Sequence, residues 1–185
     1  LPGNVSSQYI SSLLLIAPTL YNGLSLELTG DIISRPYIDM TLGIMRQFGA
    51  KANWKTDNTI YVAPQPYKQT PYYIESDWSA ASYWYEIVAL SSDEELSIVL
   101  PGLFKKSLQG DSAVVRLFSS LGVETIFEDN QVCLRKTKNR IAEFVQDRVG
   151  QPDLAQTFVV TCCMLGIPLN IRGLKTLRIK ETDRI

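Results

Sequence analysis

Leu24-Ser25-Leu26-Glu27-Leu28-Thr29-Gly30 alternates apolar and polar residues and ends on glycine, the pattern of a half-buried strand running into a turn. It returns as Leu96-Ser97-Ile98-Val99-Leu100-Pro101-Gly102 and, more weakly, as Ile167-Pro168-Leu169-Asn170-Ile171-Arg172-Gly173. The flanks return with it. An apolar helix is expected before each strand, over 6–20, 77–90 and 152–165. After the first two strands a second helix is expected, over 37–48 before Gly49 and over 110–121 before Gly122. Two short strands then turn around Asp57-Asn58 and Asp129-Asn130. A strand ahead of the first helix, 72–74 in the second copy, completes a β-α-β-α-β-β unit. A period running from residue 24 to residue 96 is too long for a solenoid of short repeats and predicts a few compact α/β units. The third copy stops at Ile185, where its second helix is due, so the chain reads as an internal piece of a longer protein. The stretch 64–73, rich in Pro and Tyr, reads as the boundary between bodies or as a loop inside one domain.

Composition limits the function classes. Hydrophobic residues make up 45% of the 185 residues and charged residues 20%, the balance of a soluble globular protein. Lys plus Arg number 18 against 19 acidic residues, so no basic field exists to hold a long nucleic acid. A small anion can still be held by a local cluster. The longest apolar stretch, 13–17, is far too short to span a bilayer, and the first residues do not read as a signal peptide. Cys133, Cys162 and Cys163 are odd in number and lack C-x-x-C spacing, which points to reduced, buried thiols in a cytoplasmic protein. There is no histidine, so proton transfer falls to carboxylates, lysine and arginine. With no His or Cys ligand cluster, neither a metal nor another cofactor is expected.

Four clusters could carry chemistry. Ser6-Ser7-Gln8 opens the first helix, where free N–H groups and the dipole favour phosphate or carboxylate; plain N-capping by serine is the alternative. Ser34-Arg35-Pro36-Tyr37 stands at the next helix start, as a second anion or hydroxyl site or another cap. Asp153, after Pro152, is either a cap favoured by the helix dipole or a proton acceptor. Arg178-Ile179-Lys180-Glu181-Thr182-Asp183-Arg184 packs two acids and three bases into seven residues. It is a solvated helix end, or a clamp for phosphate or carboxylate with Glu181 tuned for proton transfer.

Together these segments resemble the 5-enolpyruvylshikimate-3-phosphate synthase family. The matching pieces run in the family's order: Gly3-Asn4-Val5-Ser6-Ser7-Gln8, Ser34-Arg35-Pro36-Tyr37-Ile38-Asp39, Ser79-Ala80-Ala81-Ser82-Tyr83, Ser107-Leu108-Gln109-Gly110-Asp111, Pro152-Asp153 and Leu177 through Arg184. They cover nearly the whole chain, and K-E-T-D-R after a glycine turn is highly specific. The resemblance implies the α/β enolpyruvyl transferase fold, in which each of two domains has three β-α-β-α-β-β units. Residues 1–74 would be the last unit of one domain, and 75–185 one full unit and part of the next from the other. It implies a cytoplasmic transferase that moves the enolpyruvyl group of phosphoenolpyruvate to the 5-hydroxyl of shikimate 3-phosphate, in aromatic amino acid biosynthesis. Carried over by position, Ser6, Ser7, Gln8, Ser34, Tyr37, Asp153 and Lys180 would bind shikimate 3-phosphate. Gln8, Glu181 and Arg184 would meet phosphoenolpyruvate. Asp153 would accept a proton and Glu181 would move one.

The sequence departs from the family's pattern in places. Thr176 stands where many members have asparagine, and Trp78 and Ala80 vary a stretch usually rich in Gly, Ala and Ser. The family's N-terminal Lys, Ser and Arg, its first-domain arginine and its late arginine and lysine fall outside these residues, so the chain by itself is expected to be inactive. A whole enzyme is expected to be a monomer without nucleic-acid or membrane partners. A chain of this length, with its apolar first helix short of neighbours, is open to self-association. Two other readings stand: a non-catalytic folding or interaction module, and the sister transferase acting on UDP-N-acetylglucosamine.

Overall fold

Local sequence signals start α1 and α3 and close α2. The computed structural model describes residues 1–33, 35–146, 150–179 and 182–183. α1 (Ser7–Ile16) starts at Ser6, whose Oγ accepts the Gln8 N–H at 3.4 Å. Pro18 then shifts the chain into a 3-10 turn, Ala17–Thr19. β1 (Leu24–Glu27), α2 (Arg35–Gln47), β2 (Ala52–Trp54) and β3 (Thr59–Val62) follow. The three strands form an antiparallel sheet in the order β1-β3-β2. Ile10, Leu14 and Ala17 of the first helical stretch and Ile38, Leu42 and Met45 of α2 recur at helical spacing and are buried with Leu28 and Ile60. α2 is closed by Gly49 N–H to Arg46 O (3.0 Å) and the wider Ala50 N–H to Met45 O (2.9 Å), the paired bonds of the Schellman pattern.

The second unit repeats the plan. α3 (Trp78–Leu90) is capped by Asp77, whose Oδ1 accepts the Ser79 N–H at 2.8 Å. β4 (Ser97–Pro101) follows, then a 3-10 turn, Gly110–Ala113, leading into the short α4 (Val114–Phe118). β5 (Leu121–Glu128) and β6 (Gln131–Arg140) form a long hairpin, and the sheet order is β4-β6-β5, all antiparallel. β7 (Phe144–Gln146) and β8 (Leu169–Ile171) pair in parallel around a 3-10 turn, Pro152–Leu154, and α5 (Ala155–Leu165). The chain divides into one unit of Leu1–Tyr73 with Lys175–Ile185 and another of Ile74–Leu174.

Several expectations need correction. Residues 72–74 are not a strand, since 63–77 form no regular element. In its place two bonds from Ser76, N–H to Gly102 O at 2.8 Å and Oγ–H to Pro101 O at 2.9 Å, hold the chain beside the end of β4. The helix expected over 110–121 is a 3-10 turn and five residues of α-helix, because Leu121 and Gly122 are drawn into β5. The repeat alignment also slips. Leu28 N–H bonds Asn58 O and Gly102 N–H bonds Asn130 O, so Gly102 matches Leu28 in space, two residues away from Gly30. An even slip keeps the same face of the strand inward. Gly102 still requires glycine: its φ is 78°, and a Cβ would collide with Ser76 Oγ. Cys133 and Cys162 are buried as expected, but Cys163 is exposed, since neighbouring helical residues point about 100° apart and cannot share the core. The 64–73 stretch is fastened to the first unit: Gln65 N–H to Pro18 O (2.9 Å), Lys68 N–H to Phe48 O (2.8 Å), and Tyr67 Oη–H to Leu15 O (2.8 Å). Among the described residues no helix is long and apolar enough to cross a membrane.

The core of the second unit is aromatic. Phe118 and Phe158 lie 5.4 Å apart, Phe144 and Phe158 5.0 Å, and Tyr85 and Phe118 5.5 Å. Burial pushes the Tyr85 hydroxyl up to about 12, against the opposing pull of its hydrogen bond with Thr125 Oγ1 (2.8 Å). The folded pKa is raised above the ordinary 10.0, so this contribution is complete below pH 10 and is lost as pH climbs towards 12. Alkaline titration should therefore unfold the second unit progressively above pH 10. Tyr85→Phe should flatten that limb, as followed by circular dichroism. An unchanged limb would refute the assignment.

Candidate functional site

Two sequence segments meet at the open end of the first unit. Gly3 and Asn4 lead into α1, and Thr29 through Ile33 lead toward α2. They approach closely because residue 3 is glycine: a Cβ there would lie 2.9 Å from the Asp31 carbonyl oxygen. Gly3 N–H bonds Thr29 O at 2.7 Å, and Pro2 makes a parallel bridge to Thr29. Between the segments lies a cleft of about 280 Å³ lined by Pro2, Asn4, Thr29, Gly30, Asp31 and Ile33.

Ser6, Ser7 and Gln8 sit just beyond it. Ser6 Oγ is the N-cap acceptor, Ser7 is buried and Gln8 is exposed. The capping reading of Ser6 is therefore realised, although the bond to the Gln8 amide is long at 3.4 Å. Tyr37 stands half-buried in the first turn of α2. α1 and α2 are joined by the Ser11 Oγ–Thr41 Oγ1 bond (2.8 Å), and Thr41 Oγ1 also donates to Tyr37 O at 3.0 Å. The first unit thus presents two helix starts carrying hydroxyl and amide groups, a setting that suits an anion.

Arg35 is employed elsewhere. Its guanidinium lies 4.0 Å from the centre of the Trp54 ring and donates from Nη1 to Asp57 O at 2.9 Å. Trp54 Nε1–H in turn donates to Asp39 Oδ1 at 2.7 Å. Arg35 therefore clamps the β2–β3 hairpin to α2 by a cation–π contact.

Asp153 belongs to the second unit. It is the middle residue of the 3-10 turn Pro152–Leu154, whose N-cap is Gln151, so it is not the N-cap itself. Pro152 and Leu154 are buried on either side while Asp153 is half-exposed. Two buried neighbours thus anchor the backbone on either side of Asp153. Ser34, Lys180, Glu181 and Arg184 lie outside the described residues. Sequence reasoning assigned no role to Asn4, which lines the cleft; its place two residues before the Ser6 cap was the available signal. Among the described residues no group of three His, Cys, Asp or Glu side chains is placed to hold a metal ion.

Comparison with known proteins adds the remaining findings. The model of the family described as EPSP synthase (3-phosphoshikimate 1-carboxyvinyltransferase) matches residues 1–185. A curated 3-phosphoshikimate 1-carboxyvinyltransferase from Bacteroides fragilis (strain YCH46) is 55% identical over 185 residues, covering 100% of this chain and 45% of that protein. Another, from Methanosphaera stadtmanae, is 32% identical over 188 residues, covering 99% of this chain and 43% of the relative. The chain thus spans less than half the length of these curated relatives. Among solved structures, the enolpyruvyl transferase NikO from Streptomyces tendae aligns with a TM-score of 0.50 at 16% identity, over 78% of this chain and 35% of that one. That likeness establishes a shared α/β fold.

Proposed function

Because the chain belongs to the EPSP synthase (3-phosphoshikimate 1-carboxyvinyltransferase) family, we propose that it forms part of an enzyme joining phosphoenolpyruvate to shikimate 3-phosphate. The enolpyruvyl group is transferred to the 5-hydroxyl and inorganic phosphate is released. The observation that carries this reading is 55% identity, along the whole chain, to a protein bearing that name. The parts of the site fit it. Ser6, Ser7 and Gln8 at one helix start, with Ser34 and Tyr37 at another, offer uncharged donors to a phosphate dianion. Asp153 accepts the proton of the attacking hydroxyl, and Lys180 contacts the same substrate. Glu181 moves a proton on the enolpyruvyl side, where Gln8 and Arg184 hold phosphoenolpyruvate.

In this reading residues 1–74 are the last repeat of one domain, and 75–185 are one full repeat and part of the next from the other. The enzyme is cytoplasmic and monomeric and works without a metal or nucleotide. Phosphate release by a protein of the relatives' full length should require both substrates and persist undiminished in excess chelator. No release with both substrates present, or loss on chelation reversed by one particular metal, would refute the proposal. The 185-residue chain alone should not turn over, since catalysis by positioning requires groups the resemblance puts outside it.

A further inference from the structure

The segment Ser107-Leu108-Gln109-Gly110-Asp111 has no part in the reaction proposed above. In the structure it closes on Glu75. The Glu75 carboxylate accepts four hydrogen bonds: at Oε1 from Trp78 Nε1–H (2.8 Å) and Phe104 N–H (3.1 Å), and at Oε2 from Ser107 Oγ–H (2.6 Å) and Gln109 Nε2–H (3.1 Å). The orientation of the Gln109 amide is fixed by its other bonds. Its Nε2 also donates to Ser76 O at 2.8 Å, and its Oε1 accepts Trp78 N–H at 2.9 Å. Ser107 Oγ further accepts the Gln109 N–H at 3.0 Å. Donors from residues up to 34 positions away thus surround one half-buried carboxylate.

The first unit has an open cleft at the corresponding place. Ser7, Ile10, Leu14 and Ala17 of the first unit are buried with the same spacing as Trp78, Ala81, Tyr85 and Val88 of the second. Matching the helices in this way sets Asn4, which lines the cleft, against Glu75. The cleft lies between the segments leading into α1 and α2, and Glu75 lies between those leading into α3 and α4. We infer that the second unit contains an anion site at this point of the repeat, filled by the chain's own Glu75 carboxylate, and that shortening Glu75 opens it to a small external carboxylate.

Glu75→Ala deletes Cγ and the carboxyl group, the atoms of an acetate ion. Glu75→Gln keeps the shape but brings two N–H groups against a shell of donors, so it cannot replace the carboxylate. The test is amide hydrogen exchange at Trp78 and Phe104 in the 185-residue chain, in acetate and in chloride of equal ionic strength. Exchange in Glu75→Ala should quicken by about tenfold or more in chloride and return toward wild type with a saturable dependence on acetate. Glu75→Gln should exchange fast in both salts. Wild-type protection in Glu75→Gln, or equal exchange of Glu75→Ala in acetate and chloride, overturns the inference. If Glu75→Ala does not fold in chloride, refolding it in acetate decides the matter: recovery supports the site and failure overturns it.

Discussion

Asp153→Asn, in a protein of the relatives' full length, should lower kcat by about 10²–10⁴-fold while KM for either substrate stays nearly unchanged. Asparagine keeps the size of the side chain, and the buried Pro152 and Leu154 on either side are untouched, so the turn before α5 should survive. What is lost is the capacity to take a proton. A proton acceptor acts on the hydroxyl as it becomes a nucleophile, so its removal raises the barrier without weakening the ground-state complex. Steady-state kinetics with each substrate varied in turn make the measurement. A normal kcat with a raised KM would reduce Asp153 to a positioning ligand.

Phe158→Ala should destabilise the second unit by about 3–5 kcal/mol. Phe158 is buried and touches two other rings, Phe144 at 5.0 Å and Phe118 at 5.4 Å. Its loss leaves a cavity where α5, α4 and β7 converge, and stacked rings cannot collapse into it without leaving their rotamers. Val159, the next residue, is 46% exposed, so Val159→Ala should change stability by less than about 1 kcal/mol. Urea unfolding, followed by the fluorescence of Trp78 and Trp84 with Trp54 replaced by phenylalanine, reads this unit. A loss below about 1 kcal/mol for Phe158→Ala would mean that the ring cluster does not hold the core.

The repeat was legible because its signals are local. Alternation marks β1 and β4, Asp-Asn pairs mark both hairpin turns, and the apolar runs mark α1, α3 and α5. The shortened α4 was not legible, since its apolar residues serve a helix and a strand equally well until β6 is there to pair with Leu121. The two-residue slip between the copies was hidden for the same reason. A slip of two leaves the alternation of inward and outward side chains unchanged, so the strand's own residues do not reveal it. At the candidate site, residue types and helix starts could be read, but the use of Arg35 could not. Trp54 and Asp57, which engage it, lie some twenty residues away. The Glu75 cluster escaped notice likewise, because most of its donors come from a loop about thirty residues further on.

The central place of β6 has a consequence for chain entropy. Gln131 faces both Glu128 and Pro101, the last residues of β5 and β4. To reach it, β5 closes a turn of two residues, Asp129-Asn130, whereas β4 closes residues 102–130. With the logarithmic growth of closure entropy, the longer loop costs about 2 kcal/mol more. The two flanks of one strand are therefore held on unequal terms. The buried side chains of Leu100 and Leu103, at and just beyond the end of β4, contribute toward offsetting the difference.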